Sequence, residues 1–279
     1  MEILADEKIK ELKDIANKIR ISIVAMLYNA GSGHTAGALG MTDILTLLYF
    51  HILKHNPKDP FWKERDRLIL SNGHTCPVLY TTMAYAGYFP KEELLTLRKF
   101  GSRLQGHPHR EFINFIETSS GPLGEGLAQA VGMAIADKID GNVHYIYAIL
   151  SDGEHEEGST WEAVMLANKE KLSNLIVIVD RNKIQIDGNT EVVMPLLDLK
   201  DKYESFGWFA QEVSGHDFWE LNNAIYKAKI HREGPSVIIT NTIPGKGVKE
   251  WENDYKWHGK VPNKKEAEVA INELSKNYA

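Results

Sequence analysis

Four acidic residues follow an apolar run in the stretch HYIYAILSDGEHEEG, which spans residues 144–158. The apolar residues predict a buried strand. The acids at its end instead need water, a metal ion or protons, because a buried unpaired carboxylate is costly. These acids are Asp152, Glu154, Glu156 and Glu157. A strand that ends in so many carboxylates is a candidate for chemistry.

A second apolar run, NLIVIVD, also ends in oxygen-bearing side chains, within DRNKIQIDG. The 29 residues between Asp152 and Asn182 suffice for a helix, a strand and turns, so both side chains can reach the sheet edge where ligands bind. A carboxylate, an amide oxygen and a backbone carbonyl suit Mg²⁺ or Ca²⁺, with water or phosphate oxygens completing the shell. Gly153 would let a ligand approach the backbone closely. SDG alone fits a simple turn, but both strand ends together favour a metal–phosphate site.

A glycine-rich stretch, TSSGPLGEGLAQAVGMA, precedes a predicted Ala-rich helix. Its glycines have the order GxxGxG, which differs from the GxGxxG dinucleotide fingerprint, and the sequence contains no GxxxxGK[ST] phosphate loop. A nucleotide site is therefore disfavoured. The stretch alone indicates a closely packed helix start that can offer backbone N–H groups to a ligand.

Four histidines lie beside glycines in predicted turns. Each alone would be an ordinary surface residue, but four of them suggest proton transfer near neutral pH. They are His34 in SGHTAG, His74 in SNGH, His107 in QGHPH and His258 in WHGK. His51 and His55 have the spacing of a helical metal pair but lack a third ligand, which predicts a solvated helix end.

The periodicity of apolar residues predicts alternating helices and strands. Helices are expected over residues 7–30, 43–54, 91–100, 126–138, 158–170, 196–206 and 217–231. Strands are expected at RLIL, VHYIYAIL, NLIVIVD, WFAQEV and PSVIITNT, and a long loop over 102–126. Such alternation is typical of an α/β fold with three layers, a parallel sheet carrying helices on both faces. With no boundary visible, residues 1–279 are expected to form a single domain.

Composition limits the partners. The 279 residues are 43% hydrophobic and 25% charged, with a net charge of −6 and no basic run, which disfavours nucleic acid and anionic membranes. One cysteine, Cys76, excludes an intramolecular disulfide and fits a reducing compartment. The charged amino terminus, MEILADEKIKELKD, does not resemble a signal peptide, and no apolar run is long enough to span a membrane. The sequence therefore predicts a cytoplasmic protein.

Together these stretches resemble the amino-terminal, diphosphate-binding half of transketolase. The resemblance follows the family's order from residue 32 to 259, through SGHTAG, SNGH, GHP, SSGPLGEG, SDGEHEEG, DRNKIQIDG, TIPGKGV and WHGK. SDG followed by Asn182 resembles the thiamine diphosphate motif, with Ser151 in place of its first glycine. The resemblance thus implies a thiamine diphosphate-binding fold with Mg²⁺ (or Ca²⁺).

The resemblance also implies roles for individual residues. Asp152, Asn182 and the carbonyl of Ile184 would hold the metal, which offsets repulsion between the diphosphate and the acids Asp152 and Glu154. The residues expected to contact the cofactor are His74, Gly121, Leu123, Asp152, Gly153, Glu154, Asn182, Ile186, Ile243 and His258. The residues expected in catalysis are His34, His74, His107, His258 and Glu157. His34 and His107 would face sugar hydroxyls, and Glu157, with Glu162 nearby, resembles acids that link two active sites.

The resemblance implies that a separate chain completes the site. Transketolase has a second domain with an activating glutamate and sugar-phosphate contacts, and no equivalent is found after residue 259. The expected partner is a carboxy-terminal transketolase subunit, in a heterotetramer with two copies of each chain that acts on sugar phosphates. The alternatives are a 2-oxoacid dehydrogenase alpha chain, a deoxyxylulose-phosphate-type synthase, a specialised ketol transferase and a non-catalytic regulatory subunit. SSGPLGEG and WHGK favour transketolase.

Overall fold

The computed structural model describes residues 4–276. The first part of this range, up to residue 140, is mainly helical and contributes one strand. Its elements are α1 (Asp6–Ala30), α2 (Ala36–Gly40), α3 (Thr42–Leu47), β1 (Arg67–Leu70), α4 (Cys76–Ala86) and α5 (Gly126–Asp140). A π-helical turn at Leu48–Ile52 and 3₁₀ turns at Gly73–Thr75 and Lys91–Thr96 connect them.

The second part alternates strands and helices. Its elements are β2 (Ile146–Ser151), α6 (Gly158–Lys169), β3 (Leu175–Arg181), β4 (Ile184–Gln185), β5 (Gly188–Asn189), α7 (Thr190–Val193), α8 (Leu199–Ser205), β6 (Phe209–Ser214), α9 (Phe218–Ile230), β7 (Ser236–Asn241) and α10 (Lys264–Lys276). Short 3₁₀ turns follow β2 at Gly153–Glu156 and precede α10 at Tyr255–Trp257.

The main sheet has the order β1-β2-β3-β7-β6, and all of its described strands are parallel. Successive residues of β2 point to opposite faces. Ile146, Ala148 and Leu150 pack in one core with α5, α6 and α8. Tyr147 and Ile149 pack in the other core, with α1, α3, α4 and α9. The sheet is therefore covered on both faces, which confirms the predicted three-layer α/β architecture and explains why its strands are continuously apolar.

The register brings the acidic strand ends together. Ser151 is paired with Asp180 across β2 and β3, and Asp180 is paired with Thr240 across β3 and β7. Asp152 and Asn182 therefore leave neighbouring strands at the same edge of the sheet. The predicted loop is also confirmed, because residues 97–125 form only turns and bends.

The sequence was a poorer guide to four helical segments. The helix predicted over 43–54 is α3 followed by a π-helical turn, and the one over 91–100 is a 3₁₀ turn. Helices α4 and α10 were not predicted. Helix α4 is apolar on every side because it is buried all round, so it lacks the amphipathic period used to find helices. Helix α10 buries a narrow stripe, Ala267, Ala270 and Leu274.

The prediction of a solvated helix end at His51 and His55 was wrong for His55. Its ring lies between Tyr49 and Tyr88 and is half-buried. Its Nε2 lies 2.7 Å from the Tyr49 carbonyl oxygen, and its Nδ1 lies 3.0 Å from the Tyr88 hydroxyl. The histidine therefore packs the end of the π-helical turn.

Candidate active site

A cavity of about 420 Å³ opens at the carboxyl edge of the sheet, beside the ends of β2 and β3. Most of the predicted site residues meet in its wall. The lining residues are His34, His74, His107, Gly121, Leu123, Ser151, Gly153, Glu156, Glu157, Asn182, Ile184, Gln185, Ile186, Asp187 and His258. The fold therefore brings residues as far apart in sequence as His34 and His258 to one cavity.

Asp152 lies fully buried between the wall residues Ser151 and Gly153. Its Oδ1 accepts a hydrogen bond from the Gly153 amide at 2.8 Å, and its Oδ2 accepts one from the Lys183 amide at 2.6 Å. Burial raises its pKa to about 6, although Arg181 and these amides act in the opposite direction. A carboxylate offers about four lone pairs, so Asp152 keeps capacity for one further cation.

Asn182 is held in a single orientation by its neighbours. Its amide nitrogen donates to Asp180 Oδ2 at 2.9 Å, and its amide oxygen accepts from the Ile184 amide at 3.0 Å. Asp180 is itself fixed by the Thr242 hydroxyl, which donates to its Oδ1. Burial raises the pKa of Asp180 to about 7, and Asp152 adds to the increase. Because the amide nitrogen is committed to Asp180, the amide oxygen is the ligand atom that Asn182 can present.

Within residues 4–276, no group of three or more His, Cys, Asp or Glu side chains is arranged to hold a metal. A metal at this edge would therefore need mixed oxygen ligands. Asp152 Oδ1, the Asn182 amide oxygen and the Ile184 carbonyl are such a set, and hard cations prefer it. The two buried carboxylates with raised pKa values fit a cation electrostatically, because a positive charge would offset the cost of burying them.

Arg181 is a member of this site that the sequence reasoning missed. The Nη1 atom of its buried guanidinium donates to Asp152 Oδ2 at 3.2 Å, and its Nη2 donates to Glu191 Oε1 at 2.6 Å. Glu191 also accepts from the amides of Leu196 and Leu197. Arg181 thus connects the acidic strand end to residues 190–197. The signal was a cation directly before Asn182 in the DRN triplet.

The four predicted histidines form a cluster. The ring centroid of His34 lies 5.1 Å from that of His74, 5.5 Å from that of His258 and 6.3 Å from that of His107. The His74 and His258 centroids are 5.1 Å apart. Loops that are far apart in sequence therefore place four imidazoles at one end of the cavity.

All four rings have lowered pKa values. Burial lowers the pKa of His34 to about 4, with contributions from His258, Arg98 and His107. Burial also lowers the pKa of His74, His107 and His258, and for His107 the positive charge of Arg98 adds to the effect. The rings are therefore neutral near pH 7, where each carries one donor and one acceptor nitrogen. The Nδ1 atom of His34 is buried without a hydrogen-bond partner in the described part of the protein, so a ligand group could bond to it.

The glycine-rich stretch wraps closely around the cavity. Gly121, with φ of +151°, lies against the ring of His107, and Gly124 has φ of +85°. A Cβ atom at Gly124 would lie 2.9 Å from the Glu157 Cβ atom, so only glycine fits there. This confirms the close packing expected at the start of α5.

Glu154 does not line the cavity, although it was predicted to contact the cofactor. Its side chain is fully buried and accepts from the Ser71 hydroxyl, from the Gly124 amide at 2.7 Å and from the Ser151 amide at 3.3 Å. It therefore ties the end of β1 and the glycine-rich stretch to the end of β2. Its oxygens are engaged by the protein itself.

The remaining predicted residues have varied settings. Ile243 is half-buried outside the wall of the cavity, on the segment that follows β7. Glu157 lines the cavity at the start of α6, and both it and Glu162 are exposed to solvent. Gln185 and Asp187 of the β4–β5 turn also line the cavity. Asp187 was noted as an oxygen-bearing side chain after the second apolar run, but neither residue was assigned a role in the site. Among the described residues, no helix has the length and apolar character needed to cross a membrane.

Comparison with known proteins agrees with this geometry. Residues 11–277 match the family "Transketolase, thiamine diphosphate binding domain". The chain is 40% identical to a 6-deoxy-6-sulfo-D-fructose transketolase subunit of Clostridium sp. (strain MSTE9), over 96% of this chain and 98% of that subunit. It is 38% identical to an apulose-4-phosphate transketolase subunit of Phocaeicola vulgatus, over 96% of this chain and 95% of that subunit.

Longer transketolases are also similar to the chain, but only over part of their own length. Human transketolase is 40% identical to the chain in an alignment that covers 96% of this chain and 42% of the human protein. The structure of transketolase from Campylobacter jejuni superposes with a TM-score of 0.89 at 36% identity, over 95% of this chain and 42% of that one. The family match, the relatives and the shared fold together show that the chain belongs to the transketolase family and comprises its thiamine diphosphate-binding domain.

Proposed function

We propose that the chain is the diphosphate-binding subunit of a divided transketolase, and that Asp152, Asn182 and the Ile184 carbonyl hold Mg²⁺ (or Ca²⁺) on thiamine diphosphate. The observation that carries the proposal is the joint position of the buried Asp152 and the oriented Asn182 beside a cavity with four neutral histidines. Gly121, Leu123, Gly153 and Ile186 would line the cofactor, and Ile243 would pack near it.

The side chains of the cavity have separate tasks in this proposal. When bound, thiamine diphosphate would supply the carbon nucleophile that carries a two-carbon ketol unit between sugars. His34 and His107, as neutral imidazoles, would hydrogen-bond sugar hydroxyls and move protons at those oxygens. His74 and His258 would contact the diphosphate and the sugar. Glu157, at the exposed start of α6, would face a second active site in the assembly.

A partner subunit would cover the open side of the cavity. Ile186 of the cavity wall is 68% exposed, and Val192, Met194 and Leu197 on the following segment are also exposed. Several exposed apolar side chains beside a site are typical of an interface. We infer that a carboxy-terminal transketolase subunit binds here, in a heterotetramer with two copies of each chain. A cytoplasmic location stays a prediction.

The substrate would be an anionic sugar. One relative is named for 6-deoxy-6-sulfo-D-fructose and another for apulose-4-phosphate, which carry a sulfonate and a phosphate respectively. The cavity of this chain supplies the histidine cluster that would bind hydroxyl groups, whereas the partner subunit would bind most of the anionic group. The specificity for one sugar would therefore depend on both chains.

The test is reconstitution of the chain with a candidate carboxy-terminal subunit, followed by a ketol-transfer assay with thiamine diphosphate and Mg²⁺. The proposal predicts transfer by the mixture, no transfer by either chain alone and a complex with the mass of a heterotetramer. Asn182→Ala should abolish cofactor binding measured by calorimetry, whereas Asn174→Ala, on the opposite edge of the sheet, should not. Ketol transfer by this chain alone at the rate of the mixture would refute the proposal.

A further inference from the structure

A hydrogen-bonded trio built on a buried ion pair lies outside the cavity and belongs to none of the roles described above. Arg20 of α1, Asp43 of α3 and His216 of the turn between β6 and α9 share one oxygen atom. Asp43 Oδ2 accepts from Arg20 Nη2 at 2.6 Å and lies 2.7 Å from His216 Nδ1. Asp43 is 6% exposed and Arg20 is 8% exposed. Burying such an ion pair is a weak source of stability, because desolvation offsets the attraction.

The trio has a defined protonation pattern because a backbone amide completes it. The N–H group of Ile243 donates to His216 Nε2 at 2.8 Å. Since a backbone N–H can only donate, Nε2 must carry the lone pair. The ring proton then resides on Nδ1 and is donated to Asp43. Asp43 can accept it because burial, which would raise its pKa, is outweighed by Arg20 and His216, and the pKa falls to about 2.

The segment that contains Ile243 contacts His216 through the Ile243 amide and contacts the acidic strand ends through the preceding residue. Thr242, the preceding residue, donates its hydroxyl to Asp180, and Asp180 orients the amide of Asn182. Helix α2 also packs on this segment, because a Cβ atom at Gly40 would lie only 3.0 Å from the Ile243 carbonyl oxygen. The backbone of residues 242–243 is therefore fixed between His216 and Asp180.

We propose that His216, oriented by Asp43, is a positioning residue that fixes the backbone of Ile243 and thereby the side chain that packs on the bound cofactor. This inference rests on the proposed function, in which the half-buried Ile243, outside the cavity wall, would pack near thiamine diphosphate. Arg20 holds the Asp43 carboxylate and, through its Nε, donates to the Leu39 carbonyl at 3.3 Å. Helices α1, α2 and α3 thus hold His216 in place, and His216 in turn would position Ile243 at the cofactor.

The test compares two amide variants of the same polarity in the complex reconstituted with the carboxy-terminal subunit. In His216→Gln the side-chain amide reaches the position of Nε2 and can accept from Ile243, whereas the shorter His216→Asn reaches only the position of Nδ1. Calorimetry with thiamine diphosphate and Mg²⁺ should show His216→Gln within about threefold of wild-type affinity, and His216→Asn weaker by about tenfold or more, as expected for an unpaired buried donor.

The kinetic readout separates positioning from general weakening of the fold. His216→Asn should raise the KM for thiamine diphosphate by a similar factor while kcat at saturating cofactor changes less. The unpaired Ile243 N–H group should also lower the thermal unfolding temperature of the cofactor-free His216→Asn complex, so the split between KM and kcat is the readout that reports positioning. Equal cofactor affinity of the Gln and Asn variants would overturn the inference while the proposed function stands. If the wild-type complex binds no thiamine diphosphate, both fail. Asp43→Asn removes the carboxylate that keeps the ring proton of His216 on Nδ1. This variant should therefore also weaken the binding of thiamine diphosphate.

Discussion

The half-buried His34 should make the stability of the chain sensitive to acid in a way that a single substitution can isolate. Burial and the nearby His258, Arg98 and His107 lower its pKa from 6.5 to about 4. Between these two values the unfolded chain binds the proton and the folded chain does not. Stability therefore falls as the pH decreases from 6.5 towards 4.

The size of the effect follows from the two pKa values. At pH 5 the unfolded His34 is almost fully protonated and the folded one is almost fully neutral, so proton linkage costs the wild type about 2 kcal/mol of unfolding free energy relative to pH 8. Asp152 and Asp180 act in the opposite direction, because burial raises their pKa values. The total pH profile therefore hides the contribution of His34.

A double difference removes these other groups. The free energy of unfolding in urea is measured for the wild-type chain and for His34→Gln at pH 8 and at pH 5. The difference between the two proteins at pH 8 gives the stability that is lost with the packing of the imidazole ring. The variant should lose about 2 kcal/mol less than the wild type over this interval. If the two proteins lose the same stability, the burial of His34 does not lower its pKa and the reasoning about neutral histidines in the cavity is wrong.

Three further predictions concern the acidic strand ends. Asp152→Asn, which keeps the shape of the side chain, should reduce Mg²⁺-dependent affinity for thiamine diphosphate by at least tenfold, and unchanged affinity in calorimetry would contradict the metal site. Glu154→Gln places an N–H group among the Ser71 and backbone donors and should cost about 1–3 kcal/mol of unfolding free energy, which equal urea midpoints would disprove. Arg181→Met should speed hydrogen exchange of the amides at residues 196–197, whereas the exposed Lys183→Met should not; equal rates in both variants would separate Arg181 from this segment.

The sequence was a good guide where one physical cause acts along the chain. Burial on both faces makes β2 and β3 continuously apolar, so their ends could be predicted to within one residue for β3 and within three residues for β2. Parallel strands present their carboxyl ends at one edge, so Asp152 and Asn182 could be placed together from the sequence alone. The histidines could be grouped only because their glycine neighbours marked four separate turns.

The sequence was a poor guide where a contact joins distant parts of the chain. Nothing local indicates that Glu154 bonds to Ser71, 83 residues away, or that Thr242 bonds to Asp180, 62 residues away. Glu154 was therefore interpreted as an acid beside the diphosphate, although its oxygens are buried and engaged. Helix α4 was missed for a related reason. A helix that is buried on all sides has no polar face, so its sequence lacks the helical period of apolar and polar residues.

The four acids at the end of β2 have different roles because their burial differs. Glu154 is buried among donors and holds the site together, whereas Glu156 and Glu157 are exposed at the start of α6. Asp152 is buried as well, but its charge is shared only with Arg181 and two backbone amides among the described residues, and burial raises its pKa to about 6. Asp180 beside it increases the local negative charge. A divalent cation would reverse this balance and allow a diphosphate to approach the strand end, which is why carboxylates can stand where an anionic cofactor is expected to bind.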